Sequence, residues 1–468
     1  MTFISDSLAR RAFLKRLGHL GVAGTAAPWA INLAAIGEAA AFDASDYKAL
    51  VCVFLYGGND NGNTVIPFDS ASHAAYLTAR GGAAGLGLPL ASLTALQGSG
   101  LPAGRQYALA PQLAPLAQLF NAGQLAVQLN VGPLIQPTTK EQFQSRTVPL
   151  PPKLFSHNDQ QSVWQSSYAE GSVKGWGGNL GDLALQSNGG NSLFTCMSVT
   201  GNAVFLSGDS ALAYQIGAGG AVAIKGAVEK DGLYSSAACQ AALNTLITQP
   251  RTQVLENELN TITRRSIASE AKLRGALSGS ATTFDALLPD KVAGKTRTLN
   301  RQLKMVARLI AAQSLGLRRQ VFLVSLGGFD THDNLATNHP ALLTHVAEAM
   351  AGFQKAIDQL GMGQKVTTFT ASDFGRTMTS NGDGSDHGWG SHHFVMGGAV
   401  KGTAFYGTAP SASLGGPEDV GQGRLLPSTS VDQYAATLAR WFGVNGTELP
   451  QVSPHIGNFS TPDLGFMS

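Results

Sequence analysis

Uninterrupted apolar runs alternate along the chain with segments whose apolar residues recur every three or four positions. Lys48-Ala49-Leu50-Val51-Cys52-Val53-Phe54-Leu55-Tyr56 is nearly apolar throughout and stops at Gly57-Gly58. Such a run predicts a strand buried on both faces. Pro111 to Asn121 has helical spacing (Leu113, Leu116, Leu119, Phe120), and the strand-like Gln124 to Leu129 follows it. The same pairing recurs later. A helix over Leu299 to Leu315 precedes a buried strand over Gln320 to Leu326, and a helix over Leu342 to Leu360 precedes a strand over Lys365 to Thr370. His393 to Met396 reads as a further strand and Val431 to Phe442 as an amphipathic helix. Buried strands alternating with helices predict an α/β fold, a mostly parallel sheet sandwiched by helices. From about Phe194 to Ser280 the pattern loosens into Gly/Ala-rich stretches and a polar helix over Val254 to Leu277, read as an inserted cap. Pro149 to Pro152 reads as a loop, and no internal repeat is found.

The first 41 residues follow a different pattern. Arg10-Arg11 stands before Phe13-Leu14-Lys15, Leu17 to Gly37 carries no Asp, Glu, Lys or Arg, and Ala39-Ala40-Ala41 offers a small-residue cleavage site. That order predicts a twin-arginine signal peptide over 1–41. The implied partner is the twin-arginine translocase, and the implied location is periplasmic or extracellular. Gly18, Gly21, Gly24, Pro28 and Asn32 interrupt the apolar stretch, which argues against a stable membrane anchor. No second long apolar segment follows, so the mature protein is expected to be soluble.

The 32 Lys+Arg and 30 Asp+Glu of the chain become 28 of each without the leader, and no basic stripe or polybasic run stands out. Nucleic acid and anionic membranes are therefore poor partners. Charged residues make up only 13% of the chain against 56 glycines, which suits a large domain with buried strands and glycine-bearing loops. Of the cysteines Cys52, Cys196 and Cys239, only Cys196 and Cys239 are placed to pair, and the sequence does not establish that they do.

Ligands of open parallel sheets bind beyond the carboxyl ends of the strands. Polar residues collect at those ends: Asn59-Asp60-Asn61 after the first strand, Asp330-Thr331-His332 after Leu326, and Asp373-Phe374-Gly375-Arg376 after Thr370. Asp386-His387-Gly388 and His392-His393 follow, and six of the ten histidines fall between 332 and 393. Carboxylates and imidazoles without thiolates suit a catalytic divalent ion, Zn²⁺ or Mn²⁺. Plainer roles stand beside each. Asp60 can cap the next turn, Asp330 with His332 can be an ordinary loop pair, and Asp373 with Arg376 can be a buried ion pair. Only one of His392 and His393 can face a site if they lie on a strand, and His339 and His345 read as surface positions.

Gly57-Gly58-Asn59-Asp60, Ser156-His157, Ser325 to His332, Asp373 to Arg376 and Asp386-His387-Gly388, in this order, resemble the twin-arginine-exported family called domain of unknown function 1501. The resemblance covers nearly all of 42–468 as a single domain. It implies distant kinship with the alkaline phosphatase and sulfatase superfamily, α/β sandwiches with one or two metal ions. By that likeness, Asp60, Asp330, His332, Asp373 and His387 or His392 would be metal ligands. Ser156 would be the nucleophile, and Arg376 or His157 would neutralise the developing negative charge. Ser156 also precedes a helix, so it can equally be an N-cap. Two departures bear on this. Phe374 stands where two-metal relatives have His, and no cysteine has the Cys/Ser-x-Pro/Ala-x-Arg setting of sulfatases. Two functions are therefore expected: hydrolysis of a phosphate or sulfate ester, small or polymeric, or a non-catalytic envelope role in binding a partner.

Overall fold

The sheet shows why the apolar runs are unbroken. Successive side chains of β1 (Lys48–Tyr56) point to opposite faces, and both faces are covered. Ala49, Val51, Val53 and Leu55 join one core cluster, while Leu50, Cys52 and Phe54 join the other. The first cluster also takes in Leu116 and Phe120 of α1 (Ala114–Asn121), Leu303 of α4 (Thr298–Ala311) and Met350 of α5 (Leu335–Gln359). The second takes in Leu180 of α2 (Trp176–Ala184) and Leu438 of α6 (Val431–Phe442).

The computed structural model describes residues 42, 44–82, 85–228, 232–279 and 284–468, of which Phe42–Ser468 group as one compact unit. The expected leader, 1–41, lies outside the described residues.

Nine strands make the main sheet among the described residues. They are β1, β2 (Leu125–Gly132), β3 (Cys196–Ser198), β4 (Ala213–Gln215), β5 (Arg319–Gly327), β6 (Val366–Ser372), β7 (Ser391–Met396), β8 (Ala404–Tyr406) and β9 (Thr429–Ser430). Their order is β8-β2-β7-β6-β1-β5-β3-β4, with β9 also on β2. Every pairing is parallel except those of β7, which runs against β6 and β2. The α/β fold expected from the sequence is therefore present.

Cys196–Ser198 and Ala213–Gln215 extend the sheet, so the first part of 194–280 belongs to the core. The helix Ala237–Thr248 and α3 (Val254–Gly279) carry the rest of that stretch outside the sheet. Cys52, Cys196 and Cys239 are all free thiols, so the one pairing left open is not formed.

Register places the site. Tyr56 lies beside Gly327 and Leu55 beside Ser372, so the loops after β1, β5 and β6 leave the sheet side by side. Because β7 runs the opposite way, the residues just before it lie at that same end. The crossing is tight: Gly57 has φ +114°, and a Cβ there would sit 2.3 Å from the Asp330 nitrogen. At Gly58, φ +83°, a Cβ would meet the Phe374 ring at 2.4 Å. Only glycine tolerates both the backbone angle and the approach.

Candidate metal centre

Four chain segments bring their side chains together at this end of the sheet. Asp330 and His332 come from the loop after β5, Asp373 and Arg376 from the loop after β6, and His387 from the segment before β7. His157 is the first residue of the helix His157–Ser166. One ligand atom each from His157, Asp330 and His387 all lie within 4.8 Å of one another, close enough to hold a metal ion.

The outer nitrogen of each imidazole has a partner that only accepts. His157 Nδ1 meets Asp373 Oδ2 at 2.6 Å, His387 Nδ1 meets the Phe155 carbonyl at 2.8 Å, and His332 Nδ1 meets Asp386 Oδ1 at 3.2 Å. Each Nδ1 therefore carries a hydrogen, so that when the ring is neutral Nε2 is the nitrogen with the lone pair. All three Nε2 atoms turn toward Asp330. His157 Nε2 is 3.4 Å from Oδ2, while His332 and His387 Nε2 lie 3.2 and 3.4 Å from Oδ1. His157 Nε2 is shut from solvent with no hydrogen-bond partner. The Nε2 atoms of His332 and His387 are 2.8 Å apart.

Charge is distributed accordingly. The hydrogen bond that His157 donates to Asp373 is the main influence on its pKa and raises it, against the opposing effect of burial. Burial lowers the pKa of His387, with the charges of His157 and Arg376 adding to it. For Asp330, partial burial opposes ionisation, but the hydrogen bond and charge of Arg376 outweigh it and hold the carboxyl below its usual range. The Asn381 amide does the same for Asp386, helped by His332.

The expected residues divide into those at this centre and those engaged elsewhere. Asp373 is fully buried and grips His157 from behind, also accepting from Gln161 Nε2 at 2.7 Å, while its Oδ1 has no partner. Arg376 pairs with Asp330 rather than Asp373: Nη1 donates to Asp330 Oδ1 and to the Gly57 carbonyl, each at 2.9 Å. Its Nε and Nη2 are spent on Ser385. Ser156 is the N-cap residue of its helix without a capping bond, and its hydroxyl donates to Asp159 Oδ2 at 2.9 Å.

Asp60 lies buried against Arg80 and accepts from the Gly62 nitrogen at 3.0 Å, so it caps the turn after β1. His392 points away from the centre; its Nδ1 accepts the Asn130 N–H at 3.1 Å. His393 contacts Thr370 Oγ1 at 3.3 Å. His339, expected at the surface, is buried with Nε2 3.0 Å from Asn59 Oδ1, because α5 begins earlier than its apolar spacing suggests.

Sequence reasoning passed over several supports. For Asp386 the available signal is its place directly before His387. The Phe155 carbonyl, held at φ +71°, carries no sequence signal. Neither does Arg424, whose Nε donates to the His387 carbonyl at 2.8 Å and whose guanidinium covers the Phe155 ring. Phe374 packs on the His157 and His387 rings, with centroids 4.8 and 4.7 Å away.

A family model described as "Protein of unknown function (DUF1501)" matches residues 47–452. No curated protein matches the chain. Among solved structures, Ps i-CgsB in complex with k-i-k-neocarrahexaose is 9% identical, covering 89% of this chain and 78% of its own, with a TM-score of 0.35. The PsFucS1 sulfatase from Pseudoalteromonas sp. is 11% identical, covering 87% and 69%, with a TM-score of 0.33. Likeness of this degree fixes no residue's role.

Proposed function

The chain belongs to the family described as protein of unknown function (DUF1501), and from that premise we propose a metal-dependent hydrolase of phosphate or sulfate esters, exported by the twin-arginine route. The observation that carries the reading is the shared orientation of three imidazoles. Each is anchored at Nδ1 and turns Nε2 toward one carboxylate, Asp330. An orphaned, buried His157 Nε2 is costly unless something positive meets it.

A divalent ion fits these donors: imidazole and carboxylate without thiolate suit Zn²⁺ or Mn²⁺. His157, Asp330 and His387 would hold it. Such an ion supplies Lewis acidity toward an ester oxygen and acidifies water. Phe374 fills the place beside Asp373 with an aromatic ring, which favours one ion over two.

The chain's own residues do the remainder. Asp373 and Gln161 fix the ring of His157, and Arg376 fixes Asp330. Asp330 and His332 are 45% and 44% exposed, so an ester reaches the centre from their side. His332, held by Asp386 at Nδ1, presents Nε2 beside Asp330 on the open side, the position of a general acid for the leaving oxygen. The Ser156 hydroxyl is directed at Asp159, so attack is assigned to water rather than to Ser156.

Export rests on the Arg10-Arg11 pair and the uncharged stretch behind it. No helix among the described residues is long and apolar enough to cross a membrane. Changing Arg10 and Arg11 to Lys should leave the precursor in the cytoplasm, and unchanged export would remove that part of the proposal. Purified protein loaded with Zn²⁺ or Mn²⁺ should hydrolyse an activated aryl phosphate or sulfate. Full metal loading with no turnover of either ester would turn the reading to a binding role.

A further inference from the structure

An open cleft of about 300 Å³ lies beside the metal centre, on the other side of Gln161. Pockets for small ligands run from roughly 300 to 1,000 Å³, so it suits a compact group. The side chains of Asn158, Gln161, Ser162, Gln165 and Asn202 line it together with Tyr56 at the end of β1. Its polar lining is almost entirely uncharged. No Lys or Arg is among these lining residues, and the one carboxylate, Glu170, is half exposed and 4.0 Å from Lys153 Nζ.

Several of the lining groups are fixed in advance. Gln161 Nε2 donates to Asp373 at 2.7 Å, Ser162 Oγ to the Ala169 carbonyl at 2.9 Å, and Gln165 Oε1 accepts the Phe205 N–H at 3.2 Å. The carboxamides of Asn158 and Asn202, in contrast, make no hydrogen bond among the described residues, although both line the cleft. Two unengaged groups that donate and accept, on a wall already held rigid, match adjacent hydroxyls of a neutral polyol. The lack of cationic lining disfavours a second phosphate or sulfate there.

We propose that this cleft binds the sugar part of a saccharide phosphate or sulfate ester, with Asn158 and Asn202 contacting its hydroxyls. The assignment rests on the hydrolase reading for its position, since Asn158 directly follows His157 and Gln161 supports that ring through Asp373. The sugar is thereby held while its ester group reaches Asp330 and His332.

The test has two arms. Saturation-transfer NMR and calorimetry on metal-free protein would use methyl glucoside, methyl galactoside and methyl mannoside as probes. At least one should bind, and Asn158→Ala with Asn202→Ala should weaken it about tenfold or more, the worth of roughly 1.4 kcal/mol in lost hydrogen bonds. Metal content of the double variant should match wild type, which shows that its fold and centre survive. In the second arm, metal-loaded wild type should prefer a hexose 6-phosphate or 6-sulfate over the matching phenyl ester in kcat/KM. Phenyl-ester turnover with no glycoside binding and no sugar preference overturns the cleft assignment and leaves the hydrolase reading standing. Glycoside binding that survives the double substitution also overturns it. Binding lost in the variant, in a protein that hydrolyses neither class, sustains the cleft and sinks the hydrolase reading instead.

Discussion

His387 and His392 stand five positions apart, yet their imidazoles are prepared for opposite tasks. His387 donates Nδ1–H to a carbonyl, which leaves Nε2 as a lone pair beside Asp330. His392 accepts an N–H at Nδ1, so the hydrogen of its neutral ring sits on Nε2 and nothing remains to bind a cation. The first ring is partly open to solvent. The second is buried, and burial pushes its pKa down to about 3, as it does for His393. Readiness to hold a metal is thus decided by the partner of the other nitrogen, not by the presence of histidine.

The largest effect is expected at Asp330, the carboxylate all three Nε2 atoms approach. Asp330→Asn should weaken Zn²⁺ or Mn²⁺ binding by more than about 100-fold, beyond what outer supports contribute. It also takes the ionic partner from buried Arg376, so thermal stability should fall as well. Equilibrium dialysis and a melting curve read both; affinity unchanged within a few-fold would break the comparison at its root.

Next comes the histidine pair itself. His387→Ala should lose metal with little change in stability, since that ring is partly exposed. His392→Ala should retain metal but cost about 2–4 kcal/mol in unfolding free energy, from a cavity and an unpaired Asn130 N–H. Metal content and urea unfolding of both variants separate the cases, and metal loss in His392→Ala would contradict the account.

Asp373 sharpens the comparison further. As an anchor behind His157, its change to Asn should lower metal affinity about 10–100-fold, less than loss of Asp330. A loss equal to that of Asp330→Asn would make Asp373 a direct ligand.

A further effect is in pH. His392 and His393 have folded pKa values near 3, below the unfolded value, so folding favours their neutral forms. Their contribution to stability is present above about pH 6.5 and is lost as pH falls, by roughly 1.4 kcal/mol per unit for each ring. His392→Gln should flatten that acid slope in urea titrations, and an unchanged slope would show that this ring does not titrate as described.

The fold was legible because burial on two faces writes itself into the chain. The run Lys48–Tyr56 and the helix Val431–Phe442 have the same limits in the structure as in the pattern. Cys196–Ser198 and Ala213–Gln215 were not legible as sheet strands, since three residues carry no period of their own. At the site, the segments were legible from their place after apolar strands, but the direction of each side chain was not. Asp373 and His157 show this: the sequence makes both available, and only the fold sets the carboxylate behind the ring. Asp60 and His392 were drawn away by Arg80 and the Asn130 backbone, partners 20 and 262 positions distant.

The account depends most on one claim, that His157, Asp330 and His387 together hold a divalent ion. The purified protein should carry close to one first-row divalent ion per chain by elemental analysis. X-ray absorption at that metal's edge should show imidazole nitrogens at about 2.0–2.1 Å and a carboxylate oxygen at about 2.0–2.2 Å, if the ion is zinc. His157→Ala should lose the ion, and His392→Ala should keep it with the same spectrum. A wild-type protein that stays metal-free after incubation with Zn²⁺ and Mn²⁺, or an ion retained in His157→Ala with its spectrum unchanged, would contradict the claim.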